Sequence, residues 1–255
     1  MEKAADILQD RILPMLAERR KQAAEIAGNC PEHGEYTWGE AVDSYGRCPK
    51  CQKRREEEAK RAEAFRRFVE DSGVPKRFQD YKLTDFIPPT PEAEKIRAFV
   101  GQYAADFPAH AEAGRCIVMC GHTGTGKTML GCAVARHVAL EHGQRVRYTT
   151  AYHIVQSIKE TYGSNANERD VVCGYVDPSL LIVDEIGVQF GTDTEKLLLF
   201  EVLNGRYEAV KPTIVISNLE LAEIGKYLGD RVMDRLREAG GAVLVFDWQS
   251  HRTGQ

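Results

Sequence analysis

The chain has little tryptophan, 2 residues, and no excess of positive charge: 34 Lys and Arg stand against 38 Asp and Glu, a formal net charge of -4. That excludes a uniformly basic coat for nucleic acid, though not a local basic stripe, because such binding depends on where the charge sits. There is no run of about 18 apolar residues, so no membrane-spanning helix is expected. The opening stretch MEKAADILQDRILPML mixes acids with its apolar positions and has no basic region ahead of an unbroken apolar core. A secretory signal is therefore not expected. The 7 cysteines make an odd count, with three in one short segment and the others in apolar stretches. This argues against a disulfide framework and for a reducing, cytoplasmic setting with one metal site.

What remains is room for one sizeable α/β domain and a small accessory module in 255 residues, 43% hydrophobic and 28% charged. Residues 1 to about 27 place Ile7, Leu8, Ile12, Met15 and Leu16 at helical spacing, with Pro14 expected to kink or divide the helix. Such a helix packs on its own protein or docks on a partner. A charge-rich helix is expected over 52 to about 72, ended by Gly73 and Pro75, and Pro88, Pro89 and Pro91 mark an irregular stretch. The expected organisation is an N-terminal helix and metal module over 1–51, a charged helical linker over 52–75 and a main domain over 76–255.

In that domain, apolar runs at 116–120, 145–150, 180–186, 213–218 and 242–248 alternate with helical patterns at 127–142, 152–162, 193–209 and 230–240. Strands separated by crossover helices imply a parallel sheet in a three-layer α/β fold.

The chemistry starts in GHTGTGKT, residues 121–128, where Gly121, Gly124, Gly126, Lys127 and Thr128 fit G-x-x-x-x-G-K-[ST] at every fixed position. Glycines let successive backbone N–H groups face a phosphate, and the helix that follows presents its positive end. In this pattern Lys127 serves the β- and γ-phosphates and Thr128 serves Mg²⁺, with Thr125 inside the same cradle. ATP is the expected ligand. In LLIVDEI the apolar run delivers Asp184 and Glu185 to the end of a strand, where ligands of open α/β sheets collect. Asp184 suits Mg²⁺ and Glu185 suits a base for the attacking water. A hydrolytic base disfavours a small-molecule kinase, which must keep water from its γ-phosphate. Asn218, at the end of the next strand, either helps position that water or simply turns the chain. Arg231 and Arg235 lie four apart on one helical face. They are surface pairing residues, or they reach a γ-phosphate across a subunit boundary.

The second constellation is Cys30-x₂-His33 followed, after 14 residues, by Cys48-x₂-Cys51. Two short knuckles of this kind supply the four ligands of a structural Zn²⁺ site and leave no open position for catalysis. The segment is otherwise too short to build a core, and Zn²⁺ binding would fold it. Lys50, Lys53, Arg54 and Arg55 beside it offer charge for nucleic acid, the alternative to a protein partner.

GHTGTGKT, LLIVDEIGVQ, TIVISN, GDRVMDR and FDWQSHR, in that order, resemble the AAA+ ATPases of the DnaC type, the bacterial and phage loaders of the replicative helicase, over residues 73 to 252. The related transposition helper ATPases of the IstB type share most of these elements. The resemblance implies a P-loop AAA+ fold with Lys127 and Thr128 as Walker A, Asp184 and Glu185 as Walker B, and Asn218 as sensor 1. It further implies Arg231 as a finger acting in trans and Arg235 as a second arginine near the nucleotide. It puts single-stranded DNA contacts after the second strand, where Tyr152, Lys159 and Tyr162 offer stacking and charge, although core packing accounts for the tyrosines equally well. The partners it implies are a hexameric DnaB-type helicase, single-stranded DNA and further copies of the chain across ATP interfaces. The expected function is ATP-dependent helicase loading, with hydrolysis driving release, and the alternative is a transposition helper acting on duplex DNA. The zinc module is not required by the plainest loader pattern.

Overall fold

A computed structural model describes residues 14–15, 26–37, 47–187 and 192–250, and the chain divides into two compact units after Glu63. Of the helix expected at the N-terminus, only Pro14 and Met15 are described, both helical and exposed; the rest lies outside the described residues.

The first unit contains a hairpin that hydropathy does not announce. β1 (Ile26–Cys30) pairs antiparallel with β2 (Gly34–Thr37), with Cys30 opposite Gly34. The turn between them closes through His33 N–H donating to the Cys30 carbonyl at 3.3 Å. Helix α1 (Pro49–Asp71) opens with proline at its first position, where no backbone donor is needed, and Gln52 N–H donates to Cys48 O at 3.0 Å. Arg54 reaches back to Glu32 at 2.6 Å and ties the helix to the turn.

The second unit is built on five parallel strands: β3 (Ile117–Gly121), β4 (Val146–Thr150), β5 (Leu180–Asp184), β6 (Thr213–Ile216) and β7 (Ala242–Phe246). Their order across the sheet is β4-β5-β6-β3-β7, each neighbour parallel. Alternation along the strands builds two cores. Ile117, Met119, Ile182, Ile214 and Ile216 face one side, with the last turns of α1, α2 (Pro91–Ala105), α3 (Phe107–Ala113) and α4 (Lys127–Glu141). Val118, Cys120, Leu181, Val183 and Val215 face the other, with α5 (Ala151–Lys159), α6 (Glu168–Val176), α7 (Asp193–Glu208), α8 (Leu221–Leu228) and α9 (Asp230–Arg237). The expected three-layer α/β fold is present.

Pro91, read as part of an irregular stretch, instead starts α2: it occupies the first turn while Thr90 Oγ1 accepts from Ala93 N at 3.1 Å. β5 stops at Asp184, short of the expected 186, because Glu185 takes φ +58 and turns the chain away. α5 ends at Lys159, short of 162; the Thr161 hydroxyl donates to Ile158 O at 2.7 Å, and Gly163 reverses direction at φ +75. α9 ends at Arg237 because Ala239 sits at φ +56.

Two features stabilise this unit from within. Arg206 on α7 is fully buried; its guanidinium donates to Thr213 Oγ1 (2.9 Å) and to the carbonyls of Tyr175 (3.0 Å), Val176 (2.9 Å), Pro178 (2.9 Å) and Pro212 (2.5 Å). It gathers the end of α6 and the entries to β5 and β6. In the last turn of α1, Phe68 is buried in the core, and just past the helix Ser72 O accepts from Tyr148 N at 2.6 Å along the outer edge of β4.

Candidate functional site

β3 ends at Gly121, the next five residues loop back, and α4 begins at Lys127. Two glycines are dictated by space as well as by backbone angle. A Cβ on Gly121 would run into the Phe246 carbonyl, and one on Gly126, at φ +100, would meet the Phe86 ring at 2.7 Å. Phe86 and Trp248 lie 6.4 Å apart, Phe246 and Trp248 4.9 Å, and Trp248 Nε1 donates to Thr125 O at 3.1 Å. The loop is thus braced by an aromatic wall that sequence reasoning missed; only the presence of Trp248 in the FDWQSHR motif hinted at it.

Lys127 is buried, and its ammonium donates to Gly121 O (2.8 Å), His122 O (2.6 Å) and Thr125 Oγ1 (3.5 Å). These partners are neutral oxygens of its own loop. Burial lowers its pKa to about 8, Asp184 pulling the other way. Among the described residues, none of the N–H groups of Thr123, Gly124, Thr125 and Gly126 donates to a backbone carbonyl. A desolvated ammonium and a row of free donors at a helix N-terminus fit a polyphosphate.

Facing the loop, Asp184 is buried at the end of β5 with three donors on its carboxylate. Oδ2 accepts from Thr128 Oγ1 at 2.7 Å and from Tyr148 Oη at 2.8 Å, while Oδ1 accepts from Glu185 N at 2.7 Å. Thr128 and Asp184, a hydroxyl and a carboxylate, are oxygen donors of the kind Mg²⁺ takes beside phosphates. Glu185 follows in the left-handed region, a conformation that costs a non-glycine residue on the order of 1–3 kcal/mol and recurs at functional sites. Its side chain is exposed. Asn218 is exposed just beyond β6, whereas its neighbour Ser217, not singled out before, is buried and donates to Ile186 O at 2.6 Å. The loops after β5 and β6 are joined through that hydroxyl.

The arginines of α9 are placed differently. Arg231 is exposed, its guanidinium 5.9 Å from the Phe200 ring. Arg235 lies 4.6 Å over the Tyr207 ring and lines a cavity of about 350 Å³ together with Cys116 and Thr213, at the entries to β3 and β6. This is the sheet end opposite the 121–128 loop, so the expectation that Arg235 lies near the nucleotide is not met within one chain. The physical reason is the apolar side of α9: Val232, Met233 and Leu236 are buried, which fixes where Arg235 points. Tyr152 and Tyr162 are 45% and 54% exposed, which removes core packing as their explanation, while Lys159 is paired with Glu195 at 2.8 Å.

In the first unit, Cys30 Sγ, Cys51 Sγ and Cys48 Sγ lie 3.5, 3.4 and 3.6 Å from His33 Nδ1, and Cys30 Sγ lies 3.5 Å from Cys51 Sγ. A tetrahedral Zn²⁺ with bonds of about 2.3 Å to sulfur and 2.0–2.1 Å to nitrogen spaces its ligands by roughly 3.5–3.8 Å. The four atoms therefore already stand close to the corners of such a site. The backbone N–H of Glu32, aimed at the Cys30 sulfur, brings that thiol down to about 6. Hydrogen bonding with the Cys30 sulfur, together with burial and Cys48, pushes Cys51 up to about 11.

Residues 101–239 match the family described as "IstB-like ATP binding protein". The replicative helicase loader DnaC of Escherichia coli K12 is 31% identical over 153 residues, covering 60% of this chain and 61% of the relative. The protein of the same name from Buchnera aphidicola subsp. Schizaphis graminum is 28% identical over 177 residues, 69% and 68% of the two chains. The chain thus spans about three fifths of the length of the E. coli relative it matches. Among solved structures, a DnaC helicase loader superposes with a TM-score of 0.62 at 20% identity, over 68% of this chain and 100% of that one. AMPPCP-bound DnaA from Aquifex aeolicus gives 0.56 at 22%, over 69% and 52%. The shared fold is that of the AAA+ proteins, and the family match spans the strand, loop and helix that carry Lys127 and Thr128. On that match, the chain belongs to the IstB-like ATP-binding protein family.

Proposed function

We propose that this protein is an ATPase that delivers a hexameric replicative helicase to single-stranded DNA. The observation that carries the reading is the joint arrangement of Lys127, Thr128, Asp184 and Glu185 at the C-terminal edge of the sheet. The IstB-like family match, residues 101–239, covers the same stretch, and a helicase loader is 31% identical over 153 residues. The loop 121–128, with Thr125, cradles the triphosphate, and Lys127 exchanges its loop carbonyls for phosphate oxygens. Thr128 and Asp184 hold Mg²⁺, which supplies charge neutralisation at the phosphates. Glu185, set apart from Asp184 by its left-handed backbone, takes the proton of the attacking water, and Asn218 orients that water.

Arg231, exposed on α9, acts on the nucleotide of a neighbouring copy. Arg235 supports that face through Tyr207. A residue contributed across an interface gives a rate gain on the order of 10³–10⁵ in nucleotide hydrolases. The zinc-ligated module, residues 1–51, grips the helicase, and Tyr152, Lys159 and Tyr162 line the DNA path, Lys159 leaving Glu195 to do so.

The test is to mix the purified protein with the replicative helicase and ATP and to measure complex mass by light scattering after gel filtration. Lys127→Ala and a chain starting at Ala64 run alongside. A stoichiometric complex that needs residues 1–63 supports the reading. Absence of a complex, together with filament growth on duplex DNA, favours the alternative of a transposition helper acting on duplex DNA.

A further inference from the structure

Tyr148 plays no part in the nucleotide-loop and acidic motifs, yet its phenol is the second donor on Asp184 Oδ2, at 2.8 Å, beside Thr128 at 2.7 Å. It reaches Asp184 from the neighbouring strand: β4 and β5 are paired in register, with Thr150 opposite Asp184 and Tyr148 opposite Ile182. Tyr148 is itself buried, 9% exposed, so water has little access to replace its hydroxyl.

The consequence for Asp184 is geometric. A carboxylate that accepts from one hydroxyl can pivot about its last side-chain bond, whereas one that accepts from Tyr148, Thr128 and Glu185 N is held in a single orientation. The same hydrogen bond fixes Thr128, because its proton is committed to Asp184 and its lone pairs are left for a cation. We propose that Tyr148 is a positioning residue for Mg²⁺: it holds Asp184 and, through it, the Thr128 hydroxyl in the metal-ready orientation before nucleotide arrives. This inference rests on reading the 121–128 loop and Asp184 as a Mg²⁺–nucleotide site.

Outer partners that orient metal-binding groups change metal affinity on the order of 10–100-fold when removed. Tyr148→Phe keeps the ring and deletes only the donor. The experiment titrates Mg²⁺ against a fluorescent ATP analogue bound to the full chain, next to a parallel titration of the analogue in EDTA. The melting temperature of the nucleotide-free protein reports folding. The expected result for Tyr148→Phe is a Mg²⁺ midpoint raised at least tenfold with analogue affinity in EDTA unchanged. Asp184→Asn, run beside it, marks complete loss of the Mg²⁺ response.

A midpoint within twofold of wild type would overturn the role of Tyr148 while leaving the site itself intact. Equal losses with Mg²⁺ and in EDTA would overturn it too, because they would mark Tyr148 as packing alone. A wild-type chain whose analogue affinity is indifferent to Mg²⁺ would overturn the reading of the site and the inference together. Should Tyr148→Phe fail to fold, Gly73→Ala offers a second route: its new Cβ would lie 2.6 Å from the Tyr148 carbonyl, so the contact between the two segments must give way there. A Mg²⁺ midpoint that moves upward in that variant supports the inference, and one that stays put counts against it.

Discussion

ATP binding should draw a proton onto Lys127, and the amount should rise with pH. Without nucleotide, the Lys127 ammonium is desolvated and hydrogen-bonded only to neutral loop oxygens, which lowers its pKa to about 8. Phosphate oxygens in their place favour the charged form and raise that pKa. With a free-state pKa of about 8, Lys127 is about three-quarters protonated at pH 7.5, about half at pH 8 and about one-tenth at pH 9. A bound state protonated throughout therefore takes up about 0.25, 0.5 and 0.9 protons at those three pH values. The sign follows: the complex binds more protons than the free protein, so affinity falls as pH climbs through and above 8. Calorimetric titration with ATP in buffers of different ionisation enthalpy measures the proton count directly as a slope. A slope near zero at both pH 8 and pH 9, or proton release, would refute the argument that the loop strips water from an ammonium that its neighbours compensate only in part. A slope that shrinks as pH rises would refute it as well.

Arg206→Met should destabilise the second unit by about 3–5 kcal/mol, since it leaves four carbonyls and one hydroxyl short of a donor at about 1 kcal/mol each. At roughly 2–4 °C per kcal/mol for a unit of this size, a melting temperature lowered by less than about 4 °C would contradict it. Arg206 itself, with its pKa brought down to about 10 by burial, stays charged at neutral pH, so no pH dependence is expected from it between 6 and 8. Cys48→Ser should abolish stoichiometric zinc, read by metal analysis, and should make residues 26–63 sensitive to limited proteolysis. ATP-analogue binding by the same preparation should survive, and its loss would show that the ligand set supports more than its own unit.

Much of the second unit was legible because local pattern and tertiary environment agree. The five strands are apolar runs because both faces of a parallel sheet are covered, and the 121–128 loop follows from backbone demands that only glycine meets at 121 and 126. The cluster of Cys30, His33, Cys48 and Cys51 could be read from spacing because a two-residue knuckle is a local geometry. The residues that escaped act through contacts far apart in sequence. Trp248 bonds the carbonyl of Thr125, 123 positions away, and Tyr148 reaches Asp184 across 36. Arg206 looks like an ordinary helix-surface charge until the ends of α6, β5 and β6 converge on it. Pro91 misled because proline interrupts a helix everywhere except in its first turn, and Thr90 as the cap was the available clue. Arg231 and Arg235 share a face as their spacing required, but which end of the sheet that face serves is decided by the apolar side of α9.

The hydrogen bond from Tyr148 N to Ser72 O has a bearing on solubility. β4 is the outermost strand on its side of the sheet, and an uncovered strand edge invites pairing with another chain. The stretch after α1 lies along that edge, anchored by buried Phe68 ahead of it and by buried Val74 behind. It closes so tightly at Gly73 that an added methyl group would meet the Tyr148 carbonyl. The covering works as a hem on the sheet. A chain trimmed past Ser72 would keep every residue of the candidate nucleotide site yet bare a ready template for aggregation, so the practical start of a well-behaved fragment of the second unit lies ahead of Phe65, not at Gly73 just past the end of the helix.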